Sequence, residues 1–340
     1  MDDVRESITR LLEQGVREAV FPGAVWAVGD ADGMLAWGAC GPADPAVPGS
    51  AMRRDTVFDI ASLTKIITVW AVVGHLWEQQ RLPLDDPLGG FWPEVAGRPL
   101  GRVTARHLLT HTAGVPLRAN LKALYGTDPR TIRDGVLREE LHRPPGEAVE
   151  YTDRAALILG FLAEHLTATP LDRLAAERIW QPLGMRSTRF GPLPDADRQR
   201  CAPTEFDPDT GTHLQGTAHD FSARLLGGVC GIAGAFSTLD DLARFQRHLL
   251  TPTPEAGFGD TWITESLQIH TGNLTPRRGL FWHPAPDCDD TYVHYGFTGT
   301  ALWVSPKQSR WAALLTNKLF YSRERDPLMN IRNAFRQFAF

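Results

Sequence analysis

The 340-residue sequence predicts an α/β (α+β) protein: an antiparallel sheet made of strands from both ends of the chain, flanked by helices, with a mainly helical region inserted. Three observations carry this. Two short apolar stretches near the N-terminus, GAVWAVGD and GMLAWGAC, are separated by the turn residues Asp30-Ala31-Asp32-Gly33, which reads as a hairpin. From Ser62 onward the pattern becomes helical. Near the C-terminus it reverts to segments rich in β-branched and aromatic residues. Residues 1–60 and 279–340 therefore read as one discontinuous sheet lobe, and 61–278 as a mainly helical lobe.

In chain order, the first twenty residues interleave charges with Ile8, Leu11, Leu12 and Val16, the pattern of an amphipathic helix. Helical segments are expected from Ser62 to about Glu78, Thr104 to Thr110, Arg130 to Leu141, Arg154 to His165 and Leu171 to Trp180. Strands are expected at Gly279 to Trp282, Tyr292 to Phe297, Thr300 to Val304 and Trp311 to Thr316. The last stretch opens near Pro327 and puts Leu328, Ile331, Phe335 and Phe338 on one face, a terminal helix packed on that sheet. The Pro/Gly-rich stretches Gly41 to Ser50 and Thr251 to Gly259 read as surface loops.

Composition narrows the function. Hydrophobic residues at 43% and charged residues at 22% are those of a globular protein with a large core. A net charge of −5 argues against a surface that neutralises nucleic-acid phosphates. No signal-peptide pattern is seen, and the longest apolar run, Ile66 to Gly74, falls short of the roughly 20 residues that span a bilayer. With Met1 as the natural start, the expectation is a cytoplasmic protein with no membrane partner. Cys40, Cys201, Cys230 and Cys288 lie far apart without a C-x-x-C pair and read as reduced and structural.

The strongest chemical signal is Ser62-Leu63-Thr64-Lys65 at the head of the apolar helix. Three residues apart on a helix, Ser62 and Lys65 share a face. A serine hydroxyl needs an adjacent base, and a desolvated lysine can be one where an arginine cannot. The chain holds only four lysines, and Ser62 alone of ten serines has one three residues on; chance gives about 0.1 such pairs. The competing reading is an N-cap serine beside a solvated lysine. A second signal is Pro145-Gly146 followed by Tyr151-Thr152-Asp153 at the head of another helix. A third is His294-Tyr295-Gly296-Phe297-Thr298-Gly299-Thr300 leading into ALWVSP.

In this order and at these separations, the three signals resemble the serine β-lactamase and penicillin-binding protein superfamily, in its class C β-lactamase-like branch with the family VIII esterases. The motifs there are S-x-x-K, Y-x-N (often Y-S-D in esterase-like members), and K-T-G or H-T-G. FDIASLTK, VTARHLLTHTAGVP, PPGEAVEYTD, ERIWQPLGM and HYGFTGTALWVSP are similar to segments of that family, so the resemblance covers nearly the whole chain. It implies an antiparallel sheet flanked by helices plus an all-helical lobe, with the active site in the cleft between them. It also implies Ser62 as nucleophile, Lys65 helping to deprotonate it, and Tyr151 as general base and then proton donor to the leaving group. The backbone N–H groups of Ser62 and Phe297 would form the oxyanion hole, and His294 takes the place of the third-motif lysine. Asp153, His294, Tyr295 and Gly296 are the expected substrate-binding residues. Two departures stand out. Asp153 replaces the Asn of many relatives, and when ionised it lacks an amide donor and holds Lys65 charged if the two meet. Tyr295 replaces a Thr, and it either narrows the cleft or points away from it.

Other signals weigh less. His107 and His111 have metal-ligand spacing, but no Glu adjoins the first as in H-E-x-x-H, so no metal is expected. The loop with Gly227, Gly228, Gly231 and Gly234 matches neither a P-loop nor a dinucleotide fingerprint and reads as close backbone packing. No cofactor is expected. The leading expectation is an acyl-enzyme serine hydrolase or transacylase acting on an ester or amide carbonyl through Ser62, with ATP-independent biosynthetic acyl transfer as one form of it. Its partners would be a small-molecule acyl donor and water, an alcohol or an amine as acceptor. A D-alanyl carboxypeptidase or β-lactamase activity and a non-catalytic binding or sensor module are the alternatives, and the oligomeric state stays open.

Overall fold

The computed structural model describes residues 2–117 and 120–340. Its strands are β1 (Ala24–Asp30), β2 (Met34–Cys40), β3 (Phe58–Asp59), β4 (Arg189–Phe190), β5 (Phe206–Asp207), β6 (Thr212–His213), β7 (Ala235–Ser237), β8 (His283–Pro284), β9 (Tyr292–Tyr295), β10 (Ala301–Ser305) and β11 (Arg310–Thr316). The main sheet is antiparallel with order β2-β1-β11-β10-β9-β8, so the N-terminal hairpin joins the C-terminal strands through the β1–β11 pairing. A three-stranded sheet, β3-β7-β4, and the β5–β6 pair lie outside it.

The side-chain period of a strand explains how the sheet is covered. Trp26 and Val28 of β1, Trp303 of β10 and Leu314 of β11 face the N-terminal helix Asp2–Arg17 and the C-terminal helix Asp326–Ala339, which contribute Leu12 and Phe335. The alternate residues Val25, Ala27, Leu302 and Leu315 belong to the larger core shared with the helical region. Because both faces are covered, β1 up to Gly29 and β10 up to Val304 are continuous apolar runs rather than alternating. On the inner face Gln246 of the helix Leu239–Leu250 donates to the carbonyls of Trp303 (2.7 Å) and Ala312 (3.1 Å), fixing that helix to two strands.

The structure departs from the sequence expectation at Gly279 to Trp282, which is not a strand. Phe281 has φ +61°, outside the extended region, and donates its N–H to Leu109 O at 2.7 Å, while Gly279 N–H closes a turn onto Trp282 O. Leu280, Phe281 and Trp282 are apolar because they fill the core, not because they pair in a sheet. The apolar helix after Ser62 also differs from expectation. It begins with a single 3₁₀ turn, Ala61–Leu63, passes through a widened π-type stretch, Lys65–Trp70, and becomes α-helical only at Ala71–Glu78. Widened turns of this kind are frequent at functional sites. The helix expected at Arg130 to Leu141 spans Pro129–Leu137. Among the described residues no helix is long and apolar enough to cross a membrane.

Candidate active site

Ser62 sits in the 3₁₀ turn directly after β3. The preceding residue, Ala61, has φ +48°, a left-handed conformation uncommon for alanine, and its N–H is held by the buried Asp59 carboxylate at 2.9 Å. Asp59 also accepts from His219 N–H at 2.7 Å, so one carboxylate ties two loops together beneath the turn. Lys65, on the same face as Ser62, is 0% exposed. Its Nζ makes three contacts of 2.8 Å, to Ser62 Oγ, to the Ile232 carbonyl and to Asp153 Oδ1. An ammonium has three protons, and each has an acceptor here. Burial opposes the charge on Lys65, but Asp153, followed by Tyr151, outweighs it and raises the pKa above the ordinary lysine value.

The Ile232 carbonyl reaches Lys65 because of the glycine-rich segment. A side chain at Gly231 would collide with the Ala156 carbonyl of the helix Asp153–Thr167, so only glycine lets the two backbones approach this closely.

Tyr151 and Asp153 flank Thr152, the N-cap of that same helix. The Thr152 hydroxyl accepts from Arg154 N–H at 3.1 Å and donates to Pro116 O at 2.8 Å, which anchors both neighbours. The Tyr151 hydroxyl lies 3.2 Å from Ser62 Oγ. Its ring packs on His111 with centroids 4.6 Å apart, and His111 stacks in turn on Phe281 at 5.3 Å. His111 is thus a buried packing partner, and His107 belongs to a helix capping box with Thr104.

The third motif forms the opposite wall. A cavity of about 440 Å³ opens above Ser62, with Tyr151, Asp153, His294, Tyr295 and Phe297 among its lining residues. Thr298 donates to Asp59 O at 2.7 Å and Thr300 to Ile60 O at 3.1 Å, binding the turn after β9 to the segment that carries Ser62. Gly296 lines the cavity, but its peptide groups are engaged internally. Its N–H donates to Thr300 O, and its carbonyl accepts from Arg332 at 2.9 Å. Among the described residues no acceptor is bonded to the Phe297 N–H. Tyr295 is among the residues that line the cavity, but its ring packs with the outer-face core, 6.0 Å from the Trp303 ring and with the Arg332 guanidinium 4.5 Å from its centre, on the opposite side of the strand from His294. His294 is 2% exposed, and neither ring nitrogen has a partner among the described residues. Burial, then the charge of Lys65, pushes its pKa well below the usual histidine value, and it stands in the wall as a neutral imidazole.

The structure adds a residue that the sequence gave no reason to select. Arg278 lines the same cavity, with its guanidinium carbon 6.0 Å from the centre of the Tyr151 ring, and its buried Nε has no hydrogen-bond partner among the described residues. The loop before β8 thus brings a guanidinium to the cavity whose third-motif position holds a neutral imidazole. Two of the chain's four lysines, Lys65 and Lys318, are buried against this cavity or in its wall. The scarcity of lysine, which in the sequence spoke only for Lys65, is a signal that could have drawn attention to Lys318.

A serine in hydrogen-bond contact with a buried lysine and a tyrosine, in a cleft between an antiparallel sheet and helices, is the arrangement of a penicillin-binding-type serine hydrolase. The chain belongs to the Beta-lactamase family, whose model matches residues 8–334. It is 30% identical to an Escherichia coli (strain K12) protein whose name provisionally assigns it D-alanyl-D-alanine carboxypeptidase activity; the match covers 87% of this chain and 77% of that one. In fold it is similar to EstCE1, described as a hydrolase with promiscuous acyltransferase activity (TM-score 0.80, 21% identity, 98% of each chain). It is also similar to a LovD6 mutant of simvastatin synthase from Aspergillus terreus (TM-score 0.76, 18% identity, 99% of this chain and 98% of that one).

Proposed function

We propose that the protein is an acyl-enzyme serine hydrolase or transacylase that attacks an ester or amide carbonyl through Ser62. The observation that carries this reading is the Lys65 ammonium, whose three protons are all engaged while it touches Ser62 Oγ. A fully protonated lysine cannot take the serine proton, so Lys65 stabilises charge and Tyr151, 3.2 Å from Oγ, is the base. The Ser62 proton passes to the Tyr151 oxygen as the Oγ–carbon bond forms, a step that requires Tyr151 to enter the cycle without its own proton. The carbonyl oxygen becomes an oxyanion held by the N–H groups of Ser62 and Phe297. When the bond to the leaving group breaks, Tyr151 returns the proton to it. Water, an alcohol or an amine then attacks the acyl-Ser62 ester by the same steps in reverse. Lys65 and Arg278 are the cations nearest the Tyr151 ring, at 5.5 and 6.0 Å from its centre.

Transfer to a specific acceptor is proposed alongside hydrolysis, because a pre-positioned acceptor reaches effective molarities on the order of 10⁵ M and outruns bulk water. A cytoplasmic setting, where activated acyl donors are made, suits this reading. The test is to supply a good acyl donor with candidate alcohols and amines and to measure transfer product against free acid. Transfer product exceeding free acid with one acceptor supports a transacylase; free acid dominating with all of them makes the protein a hydrolase. The name of the E. coli relative favours a second reading, a D-alanyl carboxypeptidase. Release of D-alanine from a D-Ala-D-Ala peptide faster than cleavage of simple esters would select it.

A further inference from the structure

Phe297, whose N–H is assigned above to the oxyanion, has three cations around its ring. The guanidinium carbons of Arg323 and Arg325 each lie 5.0 Å from the ring centre, and Lys318 Nζ lies 5.4 Å away. All three residues line the cavity that contains Ser62. Lys318 is 3% exposed, and among the described residues neither its ammonium nor the Arg325 guanidinium has a hydrogen-bond or ion-pair partner. Arg323 pairs with Glu205. The other acids of this region do not neutralise the cluster: the Asp220 carboxylate caps its own helix through Ala223 N–H, and Glu324 acts on Lys318 only as the last and smallest influence. Burial, then the like charges of Arg332, Arg325 and Arg323, brings the Lys318 pKa down to about 8. Two like charges without acid partners, beside a third that is already paired with Glu205, are stabilised by an incoming anion.

We propose that Lys318, Arg323 and Arg325 form a subsite for a phosphate ester carried by the substrate a few bonds from the scissile carbonyl. This rests on the acyl-enzyme reading above and names a substrate class for it. A carboxylate carries one charge and is satisfied by one bidentate guanidinium. A phosphate monoester carries about −1.5 to −2 at pH 7 and three acceptor oxygens, which matches three cationic donors. The adjacency to Phe297 sets the length. The phosphate belongs to a short acyl chain or a short alcohol, because a long arm would carry it past this wall.

The test uses matched phenyl esters that end in a hydroxyl, a carboxylate or a phosphate, placed either on the acyl chain or on the alcohol. The phosphate ester is expected to exceed its hydroxyl partner in kcat/KM by about tenfold or more in one series, chiefly through KM, and to lose that advantage as salt is raised. The advantage should collapse toward one in Arg325→Gln, an exposed position that does not threaten folding, and in Lys318→Gln. Equal rates for phosphate and hydroxyl esters in both series, or a carboxylate ester as good as the phosphate, overturn the proposal. Calorimetry with inorganic phosphate supplies a readout independent of turnover. Saturable binding that weakens in Arg325→Gln supports the subsite, and no binding to the wild type overturns it. If the wild type cleaves none of the esters, it is the acyl-enzyme reading that fails, and phosphate binding still decides the subsite.

Discussion

The Thr298 hydroxyl donates to the backbone carbonyl of Asp59 at 2.7 Å, joining the turn that presents the Phe297 N–H to the segment that presents Ser62. The two N–H groups assigned to the oxyanion come from elements far apart in sequence, so their spacing depends on such ties. Thr298→Val keeps the shape and removes the donor. It is expected to lower kcat by roughly 10- to 100-fold, as displacement of reacting groups by about 1 Å does, with little change in KM. The accompanying stability loss is about 1 kcal/mol. Thr298→Ser should restore most of the rate, and steady-state kinetics on a phenyl ester with thermal melts will check both.

Ser62→Ala is expected to abolish turnover, since loss of a nucleophile costs several orders of magnitude. Intact-mass measurement with an activated ester should show one acyl adduct on the wild type and none on the variant. Retention of more than about a tenth of the wild-type rate would remove Ser62 from the mechanism.

Asp153→Asn tests the charge on Lys65. Asp153 raises the lysine pKa in the folded state, so its stabilisation is fully present below the unfolded lysine value of about 10.4 and is lost as pH climbs beyond it. The wild type should melt above the variant at pH 7, and the gap should close as pH rises past about 10.4. A gap independent of pH would mean that the contact contributes packing and no charge.

The buried histidines give the opposite slope in acid. His283 is pulled down to about 4 by burial and then by Arg278, and His111 and His294 are held well below the usual value, burial again being the largest cause. Because the unfolded chain binds these protons first, stability is retained above about pH 6.5 and falls as pH drops toward 4. Melting temperatures measured from pH 7.5 to 4.5 should decline through that window; a flat profile would show that the imidazoles are not buried in solution.

Simple ester cleavage should exceed β-lactam hydrolysis. The third-motif position holds a neutral imidazole, and Tyr295 beside it brings no small hydroxyl to share a carboxylate contact. A chromogenic cephalosporin hydrolysed faster than a short p-nitrophenyl ester would contradict this and would make Arg278 the cation that serves the β-lactam carboxylate.

How much of this was legible in the sequence followed from how local each feature is. Ser62 and Lys65 are one helical turn apart, so spacing marked them, while Tyr151 and Asp153 straddle one N-cap and were singled out by the resemblance to the family's second motif. Asp59, Arg278 and Lys318 carry no local pattern. Asp59 matters because His219 and Ala61 converge on it, Arg278 because a loop before β8 brings it over Tyr151, and Lys318 because it leaves β11 beside Phe297. The strand expected at Gly279 to Trp282 failed for a related reason. A short apolar run has the same appearance whether it pairs in a sheet or plugs a core, and only the backbone at Phe281 separates the two.

The pairing of β1 with β11 makes the sheet late to close. Ala24 finds its partner at Thr316, so β1, second from the edge of the sheet, stays unpaired on that side until residue 316 has left the ribosome. Ser62 and Lys65 emerge early, yet the Phe297 N–H, the Thr298 tie and Lys318 arrive last. A nascent or truncated chain would therefore carry Ser62 without the Phe297 N–H assigned to the oxyanion, and is expected to be inactive in acyl cleavage.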